Sequence, residues 1–210
     1  MLKDLIDGYR RYRLGWSEVE RDLYRQLVEN GQEPKVMVVA CCDSRVDPSI
    51  ILDAKPGSLF MARNIANLIP PFEKSGSYHG TSAALEYAVR SLKVEHIIVL
   101  GHAHCGGIRA LHEGTAGLSD FVGGWMEIVR AARDHVHANC SHERQSVQRR
   151  MLEEEAIRVS LHNLMTFPWI EEQVGLGALQ LHGWHYGLAE GELSALDPDS
   201  NEFRSLLEDQ

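Results

Sequence analysis

The stretches Val36 to Val46 (VMVVACCDSRV) and Val94 to Ile108 (VEHIIVLGHAHCGGI) decide how this chain folds. Each is a short apolar run, rich in branched residues, that ends abruptly in cysteine, histidine and charge. Runs of this length read as strands buried on both faces, and Pro34 marks the entry to the first. Open parallel sheets place their ligand chemistry just beyond the carboxyl ends of such strands. Both clusters fall there, so two neighbouring strands would deliver Cys41, His102 and Cys105 to one point.

Two thiolates and one imidazole make a catalytic zinc shell that leaves a fourth position open. His102 and Cys105 are separated by two residues, enough for a turn entering a helix to aim both inward. Cys105 then sits near a helix N-terminus, where free N–H groups favour the thiolate. Taken singly the signals are weak: a strand-end cysteine is usually a small buried hydrophobe, and H-x-x-C alone says little. The same design at two strand ends, with Asp43 and Arg45 just past Cys41, puts zinc ahead of redox or inert thiols.

C-x-D-x-R at Cys41 to Arg45 and G-H-x-x-C-G-G-I at Gly101 to Ile108 resemble the β-class carbonic anhydrases. The similarity runs on through Pro56-Gly57, Phe60, Arg63 to Asn67, Glu86 to Val89 and Leu92 to Val94, from Gly31 to Tyr186. The resemblance implies a Zn2+ enzyme that interconverts carbon dioxide and bicarbonate by attack of a zinc-bound hydroxide. It implies Cys41, His102 and Cys105 as ligands, Asp43 as the group that orients the hydroxide, and Arg45 as its holder. Released from Arg45, Asp43 would become a fourth ligand and close the site. The family also implies that Gln32 donates to a substrate oxygen, and that Phe60, Ile65 and Tyr87 wall an apolar pocket partly supplied by a partner subunit. Gly106 offers a backbone N–H at the helix start. Without the resemblance, Gln32 would be a solvated turn residue, the three apolar residues ordinary core, and Asp43–Arg45 a surface pair.

One β-class subgroup binds bicarbonate at a regulatory site built from a tryptophan, an arginine and a tyrosine. This chain has Arg63 and Tyr186 in those places but Val38 for the tryptophan. Val38 and Pro70-Pro71-Phe72 resemble the plant-type subgroup instead. A thiol redox or zinc-storage protein would leave Asp43, Arg45 and Gln32 without a role. Carbonyl sulfide as substrate is compatible with the same motifs. The H-x-E and P-C-x-x-C pair of zinc deaminases is missing.

Composition fits this picture. At 210 residues, with 44% hydrophobic and 24% charged residues, the chain suits one globular domain. The formal charge of −9 argues against nucleic acid or an anionic membrane surface as partner. No apolar run approaches a membrane span, and the start lacks a signal-peptide core. Four cysteines, two of them ligands, leave little for disulfides and point to a reducing, cytoplasmic setting.

The expected architecture is α/β, with a mainly parallel four-stranded sheet, Leu193 to Leu196 as a fifth edge strand, and flanking helices. Residues 1–30 form a helical arm broken near Gly15, with Ser17 and Glu20 as a capping box; residues 31–197 form the core and 198–210 a polar tail. In the family the arm wraps a neighbour, so a homodimer or homotetramer is expected. Strands are expected at Leu59 to Ala62 and Ala178 to Trp184. Helices are expected over residues 119–138 and 143–166, and loops over 68–80 and 113–117. The run Glu153-Glu154-Glu155 reads as a solvated face. Cys42 and Cys140 receive no role, and His79, His104, His112, His135 and His137 read as surface residues.

Overall fold

In the computed structural model, which describes residues 1–76, 78–115 and 120–207, the first quoted stretch is strand β1 (Val36–Cys41). It lies between β2 (Leu59–Asn64) and β3 (His96–His102), and β4 (Gln180–Tyr186) follows on the far side of β3. These four strands are parallel. Two short antiparallel strands, β5 (Leu193–Leu196) and β6 (Phe203–Ser205), complete a six-stranded sheet in the order β2-β1-β3-β4-β5-β6. Ala40 pairs with Leu100, so Cys41 and His102 leave the sheet at the same edge.

The α/β class and parallel core stand as expected, but the strand count does not. Leu193–Leu196 is not an edge, because Phe203–Ser205 pairs beyond it. The stretch after Pro198 is therefore not simply a polar tail: three residues between turns pair with a neighbour and bury Phe203 in part. So short a strand has no room to show alternation in sequence. The fourth strand runs two residues later than expected, ending at Tyr186.

The described residues form two compact units, Met1–Glu33 and Pro34–Gln210. The first holds helices α1 (Leu2–Leu14) and α2 (Glu18–Asn30). Ser17 caps α2 by accepting from the Glu20 N–H at 3.2 Å, and Glu20 returns the bond to the Ser17 N–H at 2.7 Å. The aromatic rings of Trp16 and Tyr24 stack at 4.5 Å, and Tyr12 and Tyr24 share a 2.6 Å hydrogen bond.

In the second unit, α3 (Pro48–Ile51) follows β1 and α4 (Gly80–Glu86) precedes β3, running on into a π-helical turn (Tyr87–Leu92). Helix α5 (Gly106–His112) begins directly after the second quoted stretch. Then come α6 (Val122–Met126), a 3-10 turn (Glu127–Val129) and α7 (Arg130–Asn139), where one continuous helix was expected. Gly123 and Gly124 each weaken a helix by about 1 kcal/mol relative to alanine. Residue 119, and residues 116 and 117 of the expected loop, lie outside the described residues. Helices α8 (Gln145–Leu164) and α9 (Pro168–Gly175) lead into β4.

Helix α8 lies on one face of the sheet, over Met37, Val39, Ile97 and Val99. Val38, Ala40, Ile98 and Leu100 face the other way, against Val46 and partly buried Ile51 and Trp184. Strand residues buried alternately on two faces need an unbroken apolar run, which is what the sequence supplies. The approach of α8 is set by two glycines. A Cβ on Gly101 would come within 2.7 Å of Ile157 Cδ1, and one on Gly183 within 2.8 Å of Ile157 Cγ2. Glu153, one turn before Ile157, is thereby lowered to the end of the sheet where Cys41, His102 and Cys105 gather.

Candidate metal centre

Cys41 is the last residue of β1, His102 the last of β3, and Cys105 the N-cap just before α5. One ligand atom from each lies within 4.8 Å of the other two, and all three residues are buried. The two sulfurs stand 4.0 Å apart. Between His102 and Cys105 in the chain, His104 takes a positive φ of 58°, turning the backbone so that the two side chains converge.

The donor set fits a dication. His102 Nδ1 lies 2.9 Å from the Ala103 carbonyl, which fixes the proton there and leaves Nε2 as a lone pair. That Nε2 is buried and has no hydrogen-bond partner. A buried ring nitrogen is not normally left so. The Cys41 thiol is pushed down to about 4, first by the hydrogen bond from Cys105, against the cost of burial, with help from His102 and the Asp43 and Ala66 backbone N–H groups. Cys105 is pushed up by that same bond and by burial. Two sulfurs at this distance hold both negative charges only when a cation lies between them. Burial pulls the His102 imidazole down, but Cys41, the Ala103 carbonyl and Asp43 together outweigh it and raise it.

Asp43 and Arg45 stand beside the ligands. Asp43 Oδ2 is 3.9 Å from His102 Nε2. Arg45 donates from Nε to Oδ1 and from Nη2 to Oδ2, and its backbone N–H also reaches Oδ1 at 3.0 Å. The guanidinium holds the Asp43 carboxyl well below the usual carboxylate range. Arg45 Nη2 further donates to the His104 carbonyl at 3.1 Å, joining the two motifs. Arg63 donates to the carbonyls of Cys41, Asp43 and Val46, and so holds the turn that carries the first motif.

The remaining predicted residues separate. Ile65 lines an open cleft of about 690 Å³ with Cys42, Asn64, Phe121 and Trp125, whose Nε1 donates to the Ile65 carbonyl at 2.7 Å. Phe60 and Tyr87 pair with each other, ring centroids 5.7 Å apart. Phe60 lies level with Met37, four residues before Cys41 in register, or about 13 Å along the strand. Gln32 is exposed in the coil after α2, in the other unit. Gly106 opens α5, and space around its α-carbon is free. Cys42 is exposed; Cys140 is half-buried against the core.

The charge run is where the sequence reading fails. Glu153 is 5% exposed and accepts the Cys105 N–H at 3.3 Å through Oε1. Its Oε2 lies 3.2 Å from Nε2 of His185, which is fully buried in β4. Glu154 and Glu155 instead pair with Arg150 and Arg158. The available signal was position: Glu153 shares the helical stripe of Leu152, Ala156, Ile157 and Ser160.

A family model described as "Carbonic anhydrase" matches residues 36–193. A carbonic anhydrase of Synechocystis sp. is 37% identical over 205 residues, 96% of this chain and 73% of the relative. A solved structure, "The structure of the beta-carbonic anhydrase CcaA", has a TM-score of 0.91 at 36% identity, covering 97% of this chain and 98% of that one. A tetrameric β-carbonic anhydrase of Sordaria macrospora has a TM-score of 0.74 at 27% identity, covering 92% of each chain.

Proposed function

The chain belongs to the β-class carbonic anhydrases, and from that premise we propose that it catalyses the reversible hydration of carbon dioxide to bicarbonate and a proton at the Cys41–His102–Cys105 centre. The observation that carries this reading is the buried, unpartnered Nε2 of His102, facing two cysteine sulfurs with Asp43 at 3.9 Å. Zinc held by these three side chains would acidify a water and so supply the nucleophile.

The protein's own groups do the rest. Asp43, an acceptor on both oxygens, would accept a hydrogen bond from the attacking oxygen and so turn its lone pair toward the carbon. Arg45 keeps the carboxylate ionised and aimed. Ile65 gives the approach an apolar wall that suits a nonpolar gas. The Gly106 N–H, at the start of α5, offers a donor to a substrate oxygen. Phe60 and Tyr87 lie far from this chain's own Cys41, so they serve the pocket of a second copy.

A homodimer or homotetramer follows from that assignment. The arm leaves Leu2, Leu5, Tyr9 and Val28 exposed, and the core leaves Tyr87 and Phe121 so. The Sordaria relative is described as tetrameric. Among the described residues no helix is long and apolar enough to cross a membrane. A cytoplasmic place of action agrees with cysteine thiols kept as metal ligands.

The test joins stopped-flow carbon dioxide hydration to zinc content on the same sample. About one zinc per chain is expected, with activity lost on chelation and restored by zinc. Cys41→Ser and Cys105→Ser lose metal and activity together, while Cys42→Ser keeps both. Hydration that survives complete zinc removal overturns the reading.

A further inference from the structure

We infer that Glu153 is a positioning residue for the Cys105 ligand, braced from the sheet by His185. The inference rests on the metal centre proposed above and adds to it a support on α8. Cys105 is the N-cap of α5, yet its side chain makes no capping bond to that helix. Its backbone N–H is taken by Glu153 Oε1 instead. The sulfur is thus left for a metal while the main chain behind it is tied to a different helix.

The brace is specific. His185 is completely buried, its Nδ1 has no partner, and Glu153 is the only hydrogen-bond partner of its ring among the described residues. The ring of Phe203 packs edge-on to it at 6.4 Å, so the last strand closes this pocket. A carboxylate and an imidazole buried together are weak evidence of stabilisation, since apolar residues of the same volume commonly do as well or better. What apolar residues cannot do is accept the Cys105 N–H. The seat of α8 is itself fixed by the Gly101 and Gly183 contacts with Ile157, one turn away. Glu153 therefore transmits a rigid helix position to a ligand backbone. Partners of this kind are worth about 10–100-fold in metal affinity or activity.

The test measures zinc release from the loaded enzyme to excess chromogenic chelator, with the sulfur-to-metal charge-transfer band of the cobalt form and thermal unfolding on each variant. Glu153→Leu and His185→Phe should release zinc about 10–100-fold faster than wild type and shift the cobalt band. Glu153→Gln keeps an oxygen acceptor for Cys105 and turns an amide donor toward His185, whose ring can accept it at Nε2 by carrying its proton on the otherwise unpartnered Nδ1, and should release zinc near the wild-type rate. If Glu153→Leu does not fold, the contrast between Glu153→Gln and His185→Phe decides alone. Folded variants that release zinc and absorb as wild type does would sink the inference, as would Glu153→Gln releasing zinc as fast as the other two. Wild-type protein that takes up no zinc would instead sink the metal reading, and this inference with it.

Discussion

Arg45 grips Asp43 through both carboxylate oxygens, Nε to Oδ1 at 2.9 Å and Nη2 to Oδ2 at 2.7 Å. The guanidinium side chain is half-exposed, and an ion pair there adds about 0–1 kcal/mol to stability. Its contribution is direction, since it holds the carboxylate 3.9 Å from His102 Nε2. Arg45→Ala and Asp43→Ala should therefore slow carbon dioxide hydration by about tenfold or more, with zinc content and melting temperature near those of wild type. Equal loss of zinc and activity in either variant would make the pair structural.

Ile157 closes α8 onto the sheet where Gly101 leaves no room for a Cβ. Gly101→Ala should cost about 1–3 kcal/mol by overpacking, and Ile157→Ala about 2–5 kcal/mol by leaving a cavity. In the double variant the new methyl group occupies part of the space that Ile157 gave up. Chemical denaturation should show the double variant more stable than the two single losses added together. Strict additivity would mean that the helix adjusts freely and the glycine is incidental.

These contacts also show where sequence reading succeeds and where it stops. The strands at Val36 and His96, and the gathering of Cys41 and His102 at their ends, are legible because burial on both faces demands an unbroken apolar run. Phe203–Ser205 was not, because three residues carry no period and the strand exists only by pairing with Leu193–Leu196. Glu153 was hidden by its neighbours. The buried stripe of α8 mixes Leu152 and Ile157 with Glu153, Ser160 and Asn163, so hydropathy does not mark an inner face. Each of those polar groups is buried because a distant partner meets it. Ser160 accepts the Ile69 N–H, Asn163 donates to the Ile69 carbonyl, and Glu153 receives Cys105. Such partners are fixed by the tertiary fold, not by sequence spacing.

His182 and His96 bring Nε2 and Nδ1 to 3.1 Å at the start of their strands. Burial, and then the charge of His96, lowers the His182 imidazole below the ordinary value of 6.5. His112 is lowered in the same sense by burial, His137 and Arg149, against Glu113. A histidine depressed in the folded state adds nothing above the unfolded pKa, where both states are neutral. As pH falls through 6.5 the unfolded chain binds protons that the folded one refuses, so stability drops. The urea midpoint should therefore decline from about pH 7 to about pH 5.5, and less steeply in His182→Gln. A decline as steep in that variant as in wild type would clear His182 of the effect.

Arg63 is already committed. Its Nε donates to the Cys41 carbonyl at 2.8 Å, and its Nη2 to the carbonyls of Asp43 and Val46. Those bonds hold the turn from Cys41 through Val46, and the remaining nitrogen, Nη1, faces the Asp47 carboxylate at 4.0 Å, which opposes a second anion there. Where a bicarbonate-regulated relative has a tryptophan, Val38 is fully buried between Met61 and Ile98 and offers no donor. Tyr186 lies by Ile51, Leu193 and Leu206, in a hollow lined, among the described residues, by no charged side chain. Bicarbonate should consequently inhibit hydration only as a product at the metal centre, with a Hill coefficient of about 1. Arg63→Ala should lose about 1–3 kcal/mol of stability, because carbonyls in the turn lose their donors, and should not create a cooperative response. Inhibition curves that are sigmoidal in wild type and hyperbolic in Arg63→Ala would show that the arginine leaves its carbonyls to bind the anion, and would overturn this prediction.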